Sequence, residues 1–182
     1  MQFKIGKYTL SDKHPSFIVA ELSGNHGGSL NRAIKLINYA KKAGANAVKL
    51  QTYKADTITF KSKNKDFIIN SNSPWSKFNN YWDLYDYAHT PWSWHKTLFK
   101  TAKDIGLEIF SSPFDETAVD LLENLRCPSY KIASSEINHI PLIERVAKTK
   151  KPVILSIGLA NLKDIYLAIK TLKKMVVKKL LY

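Results

Sequence analysis

Two lysines stand where a lysine is costly. Lys49 lies in "VKLQT" and Lys131 in "YKIAS", each flanked by the apolar residues of a strand. Burying an unpaired ammonium costs several kcal/mol, so a lysine inside a strand reaches water or meets an anion. With a two-residue side-chain period, Lys49 shares a face with Gln51, and Lys131 shares one with Ala133. Serines close the neighbouring strand-like segments: Ser112 in "FSSPF", Ser134 in "YKIASSE" and Ser156 in "VILSIG". Brought together, these ammonium and hydroxyl groups make a pocket of donors for a phosphate or carboxylate. Glu21, near the end of "SFIVAEL", is the matching acid, suited to holding sugar hydroxyls or moving a proton. The structural alternatives are lysines that snorkel to the surface and a Glu21 that pairs with one of them.

The histidines give no comparable pattern. His26 in "GNHGGS" is either a metal ligand or, as is commoner for a loop histidine, bonded to backbone. His89, His95 and His139 lie in helical or pre-helical context without an i, i+4 partner, so spacing assembles no metal site. All four tryptophans fall between positions 75 and 94. Aromatics there either stack on a sugar ring at a site mouth or pack as a lid on one another.

The elements that must position these residues alternate. Strands are expected over 16–22, 45–52, 107–114, 129–135 and 151–158, and a helix follows each. Ser29 caps the first helix, whose Leu30, Ala33, Ile34, Ile37 and Ala40 share a face, and Gly44 ends it. Pro91 opens the helix "WSWHKTLFKTAKDIG". Asp115 begins the next, and the last opens at Asn161 with Leu162, Ile165, Ile169, Leu172 and Val176 on one face. The connection from about 53 to 90 exceeds ordinary loop length and is expected to be functional or locally helical. Strict alternation implies a parallel sheet with right-handed crossovers. Polar residues at the ends of many strands, and no G-x-G-x-x-G turn after the first, favour a (β/α)8 TIM-type barrel over a doubly wound sheet. About five of the eight βα units are legible in 182 residues, where a whole barrel needs about 250.

Length and composition suit one globular domain with a real core. No apolar run approaches the roughly 20 residues of a membrane span, and no signal-like block opens the chain, so a cytoplasmic protein is expected. The single Cys127 excludes an internal disulfide and reads as a buried structural thiol. Lys and Arg outnumber Asp and Glu by 28 to 15, a net charge of +13. A nucleic-acid binder would cluster that charge with interleaved aromatics. Here it is scattered, outside "KTLKKMVVKK", so no nucleic-acid partner is expected. The charge fits either an enzyme for anionic substrates or a solvated lysine-rich surface.

Three long stretches, "IVAELSGNHGGSLNRAIKLINYAKKAGANAVKLQTY", "FSSPFDETAVDLLENL" and "YKIASSEINHIPLIERVAKTKKPVILSIGLAN", together resemble the sialic acid synthase family in order and spacing. "LYDYAHTPWSWHKTLF" and "SSPFDETAVDLL" resemble its pseudaminic acid branch. The resemblance implies an N-terminal barrel that condenses phosphoenolpyruvate with an N-acylated amino sugar. By the same resemblance, Lys49, Ser112, Lys131, Ser134 and Ser156 contact phosphoenolpyruvate. Glu21, the expected catalytic carboxylate, binds the acceptor sugar, with Gln51 beside it on the strand face and Asn79 as a further contact. It also implies a divalent ion, Mn or Mg, held by histidines of later barrel strands, and a homodimer built with a C-terminal antifreeze-like domain. Neither those strands nor that domain is expected within residues 1–182. "LSIGL" departs from the family's "LSTGM", placing Ile157 where a hydroxyl is usual, and "KKMVVKKLLY" departs from its pattern. The chain is therefore expected to be a truncated product with impaired activity. The alternative is a non-catalytic remnant, or a split half that needs a complementary polypeptide.

Overall fold

The computed structural model describes residues 3–174 and 180–181. It opens with a feature absent from the periodicity: an antiparallel hairpin of β1 (Phe3–Ile5) and β2 (Tyr8–Leu10), turning at Gly6 with φ +53°. The Lys7 amide donates to Glu108 Oε1 at 3.0 Å and Lys7 Nζ donates to the Gly106 carbonyl at 2.8 Å. These bonds fasten the hairpin to the N-terminal end of β5 (Glu108–Pro113).

The alternating units follow. β3 (Val19–Ser23), β4 (Ala47–Thr52), β5, β6 (Tyr130–Ile132) and β7 (Val153–Leu155) are joined by α1 (Leu30–Lys42), α4 (Trp92–Asp104), α5 (Glu116–Asn124) and α6 (Ile140–Lys148). α7 (Leu162–Lys174) leads to a short β8 (Leu180–Leu181). The order is β3-β4-β5-β6-β7-β8, parallel at every pairing. Consecutive strands are neighbours throughout, which is the progression of a barrel rather than the reversal of a doubly wound sheet. β8 adds a strand beyond the five expected units, inside the segment thought to depart from the pattern.

Local chemistry explains the boundaries. Ser29 accepts from the Arg32 amide at the start of α1, and Gly44, at φ +88°, takes the left-handed turn after it. Asp115 caps α5, accepting from the amides of Thr117 and Ala118. Asn161 caps α7 through the Asp164 amide. Two strands end earlier than expected. β6 stops at Ile132, and Ser134–Glu136 forms a 3-10 turn; β7 stops at Leu155. On α7, Ala168, Thr171 and Leu172 are the buried residues, with Ile165 and Ile169 partly buried. Leu162, expected on the inner stripe, opens the helix 71% exposed, and Val176 lies outside the described residues.

The core lies between the sheet and its helices. Val48, Leu50, Ile109, Tyr130, Ile132, Val153 and Leu155 face Ala33, Ile37, Leu98, Leu122, Leu142, Ile143 and Leu172 across it, all buried. Each fully buried aliphatic side chain contributes about 1.5–3 kcal/mol, so this face holds the fold. Cys127 is buried here as expected, its thiol donating to the Ser129 carbonyl at 3.0 Å. Burial pushes that thiol up to about 12, which leaves it protonated and inert.

The long connection contains α2 (Ala55–Ile58), a 3-10 turn at Lys65–Phe67 and α3 (Tyr81–Ala88). Its aromatics pack on each other and on the strand ends. Tyr53 meets Tyr85 and Phe114 edge-on, and the Trp92 indole donates to the Tyr53 carbonyl at 3.1 Å. Lys54 and Lys61 lie over the rings of Trp92 and Trp82 at 4.2 and 4.3 Å.

Candidate active site

The sheet face opposite the helices is where polar residues replace the apolar ones. Register pairs Glu21 with Lys49, and Gln51 with Ser112; Ser111 pairs with Tyr130, which puts Lys131 beside Ser112. Alternation sends Glu21, Lys49, Gln51, Ser112 and Lys131 to this one face. Lys49 is 6% exposed and forms an ion pair with Glu21. The structural alternative weighed for Glu21 is thus realised: the buried ammonium has a carboxylate partner. The pairing still leaves that carboxylate at the rim, its side chain 45% exposed, where an incoming molecule can reach it. Glu21 also accepts from the Ser23 amide at 3.0 Å, which orients it.

Lys131 is half-buried and its pKa is lowered, first by burial and then by the charge of Lys49. The second cause places both ammonium groups in one electrostatic neighbourhood, and neither snorkels fully into solvent. Ser112 is 1% exposed and its hydroxyl has no hydrogen-bond partner. A buried hydroxyl without a partner is rare and costly, and this one lies on β5, the strand between those that carry Lys49 and Lys131. The Ser129 hydroxyl, just before β6, is also buried and unpartnered.

The remaining expected contacts are looser. Ser134 sits in the 3-10 turn after β6 and Ser156 just past β7, both half-buried, with the Ser156 amide donating to the Ile132 carbonyl at 3.0 Å. Both lie at the same end of the sheet as Gln51 and Ser112. Asn79 is exposed in the long connection; its carbonyl accepts from the Ile69 amide at 3.3 Å. No described contact ties its side chain to the lysine pocket. Ile157 is 41% exposed beyond Ser156.

Glu136 went unread in the sequence, and His95 was read only as a helical histidine without a ligand partner. Glu136 ends the 3-10 turn half-buried, its pKa raised by burial, and the charge of Lys131 acts on it. The signal was its place in "YKIASSE", five residues after Lys131, but a glutamate past a strand end is ordinary surface composition. His95 is fully buried on α4 and hydrogen-bonded to Thr52. His26 has a buried Nε2 without a partner, and burial, then Arg32, lowers its pKa. Among the described residues no three His, Cys, Asp or Glu side chains gather as a metal cage.

Two lysines, the partnerless Ser112 hydroxyl and a rim carboxylate on one face present donors suited to a small anion and an acid beside them. Comparison with known proteins decides the lineage. A family model described as the NeuB family matches residues 36–181. The chain belongs to the NeuB family. The match runs through β8, inside the "KKMVVKKLLY" segment that was expected to depart from the family's pattern. Pseudaminic acid synthase of Helicobacter pylori is 50% identical over 147 residues, 81% of this chain and 43% of that protein. N,N'-diacetyllegionaminic acid synthase of Legionella pneumophila is 36% identical over 157 residues, 86% of this chain and 44% of that one. The chain thus spans about half the length of the curated NeuB relatives it matches. Among solved structures, the N-acetylneuraminic acid synthetase of Leptospira borgpetersenii, in complex with citrate, superposes with a TM-score of 0.81 at 29% identity. That alignment covers 96% of this chain and 56% of the other. The TM-score and the strand order establish the TIM-barrel type of fold.

Proposed function

We propose that this chain binds phosphoenolpyruvate between Lys49 and Lys131 and belongs to a synthase joining it to an N-acylated amino sugar. The product is a nonulosonic acid, with a pseudaminic-type acceptor favoured by the 50% identity to the Helicobacter pylori enzyme. The observation that carries the reading is the buried, partnerless Ser112 hydroxyl, on the strand between those that carry the two lysines and on the same sheet face. The Leptospira relative was solved in complex with citrate, itself a multiply charged carboxylate.

In this reading Lys49 and Lys131 balance the phosphate and carboxylate charge, and the hydroxyls of Ser112, Ser134 and Ser156 orient them. The C3 carbon adds to the sugar aldehyde, whose oxygen takes a proton. Water then bonds to C2 and gives up a proton. The C2–O bond to phosphate breaks, phosphate leaves with the bonding pair, and the C2 hydroxyl loses its proton to become the ketone. Glu21, at the rim and held by Lys49, moves a proton at the sugar oxygens, and Gln51 and Asn79 contact the sugar. A divalent ion, when bound, polarises the aldehyde. The described residues bring no full ligand set together for it, so the steps above use this chain's own groups.

Calorimetric titration of the purified chain with phosphoenolpyruvate tests the reading. Lys49→Met and Lys131→Met should each weaken binding by roughly tenfold or more. Glu21→Gln should still bind phosphoenolpyruvate, and any phosphate release with an amino sugar should fall below that of the wild-type chain. A wild-type chain with no measurable affinity would sink the proposal.

A second reading rests on the sheet's edges. Among the described strands β3 and β8 each have one neighbour, and Leu36 and Tyr39 on α1 and Tyr166 and Leu167 on α7 are exposed. Open edges and apolar flanks fit a complementary set of strands. Stable co-elution with the separately expressed C-terminal half of the Helicobacter pylori synthase is the expected outcome. Separate elution at micromolar concentration counts against it.

A further inference from the structure

A buried line of hydrogen bonds runs behind the anion pocket, on the helix side of β4 and β5. His95 Nδ1 lies 3.2 Å from the Pro91 carbonyl, and His95 Nε2 lies 2.9 Å from Thr52 Oγ1. Thr52 Oγ1 is in turn 2.7 Å from Ser111 Oγ. All three side chains are 0% exposed. The carbonyl at one end fixes every direction. Pro91 O only accepts, so Nδ1 carries the imidazole proton and Nε2 accepts. Thr52 has one hydroxyl proton; it gives that proton to Nε2 and accepts from Ser111. No bond in the line can reverse without leaving a buried group unpaired.

Nothing in the packing requires these polar groups. The same face of the sheet is otherwise Val48, Leu50, Ile109, Ile132, Val153 and Leu155, with Tyr130 beside Ser111, and Val at 52 with Ala at 111 would occupy similar space. A buried polar line gives little net stability over apolar packing, but it fixes orientation. What it orients is set by adjacency. Thr52 follows Gln51 and Ser111 precedes Ser112, and consecutive strand residues face opposite ways. Gln51 and Ser112 are register partners on the pocket side. α4 thereby grips both strand ends from behind, at the point where the partnerless Ser112 hydroxyl faces forward.

We infer that His95 is a positioning residue for the anion site, acting through Thr52 and Ser111 to hold Ser112 Oγ toward the ligand. The inference rests on the reading of Ser112 as a phosphoenolpyruvate contact. A double-mutant cycle read by calorimetry tests it on the whole chain, with thermal melts recorded for every variant. Thr52→Val and Ser112→Ala should each weaken phosphoenolpyruvate binding roughly tenfold. The double variant should be no weaker than Ser112→Ala alone, because both remove the same contact. His95→Leu should behave like Thr52→Val. His95→Gln, whose amide oxygen can accept from Thr52, should keep affinity within about threefold of the wild type. If Thr52→Val does not fold, Ser111→Ala takes its place in the cycle. Multiplying losses in a chain that binds would overturn this inference alone, as would full affinity in His95→Leu. A wild-type chain that bound no phosphoenolpyruvate would overturn the functional reading and this inference with it.

Discussion

Lys131 carries an ammonium that burial, and then the neighbouring Lys49 charge, push toward its neutral form. Lys49→Met removes the like charge and releases Glu21 from its pair, and both changes favour protonated Lys131. The Lys131 side-chain titration, followed by heteronuclear NMR, should therefore move up in that variant; an unmoved titration would mean the two lysines do not share a field. His95 gives a second titration with the opposite consequence. Burial lowers it to about 4, whereas an unfolded histidine titrates near 6.5. The unfolded chain therefore binds the proton first. Stability on this account is complete above about pH 6.5 and is lost as pH falls toward about 4, on the order of 3 kcal/mol in all. Denaturant melts at about pH 7 and about pH 4.5 should show a smaller acid loss in His95→Gln than in the wild type. Lys49, Lys131 and Ser112 were legible in the sequence because charge and hydroxyl break an apolar strand pattern. The His95–Thr52–Ser111 line was not. Its members are 43 and 59 residues apart, and serine and threonine near a strand end carry no signal of what faces them.

Elements were read well where a period had room to show. α1 formed as the spacing predicts and α4 as Pro91 does, whereas β1 and β2, at three residues each, are too short for alternation to register. Leu162 misled for a related reason: a stripe extended to a helix's first residue counts a side chain that stands in solvent. β6 and β7 end before the apolar pattern does, β6 running into the Ser134–Glu136 turn and β7 stopping two residues short of Ile157. One junction between elements is tightly specified. The Thr90 hydroxyl donates to the Gly24 carbonyl at 3.0 Å, and the Asn25 amide group donates to the Tyr87 carbonyl. These bonds tie the Gly-rich loop after β3 to the end of α3. A Cβ on Gly24 would lie 2.8 Å from the Ala88 carbonyl oxygen, closer than side-chain carbons approach. Gly24→Ala should part the two segments at a cost of about 1–3 kcal/mol. Hydrogen exchange should quicken over 23–28 and 86–90 while β4 and β5 stay protected. Uniform exchange across all these segments would mean that the junction bears on the whole fold.

At the scale of the molecule, 28 basic against 15 acidic residues make self-repulsion a standing cost of compaction. Raising ionic strength should raise the melting temperature while weakening phosphoenolpyruvate binding, because salt screens repulsion and substrate attraction alike. A melting temperature that fell with salt would show that ion pairs such as Arg145–Asp120 outweigh the excess charge. The barrel type of fold was legible from alternation together with the polar strand ends and the missing G-x-G-x-x-G turn; the hairpin and the sixth parallel strand were not. The faces of the sheet carry one further consequence. Because the apolar core and the polar pocket are written on alternate residues of the same strands, the two tolerate different kinds of sequence change. A point substitution at Gln51 or Ser112 leaves the helix-facing side intact, so the pocket is free to drift among anions without endangering the fold. A single inserted or deleted residue in β4 or β5 would exchange the faces, sending Leu50 to the ligand and Lys49 into the core. Divergence at these strands is thereby confined to replacement, with length held constant.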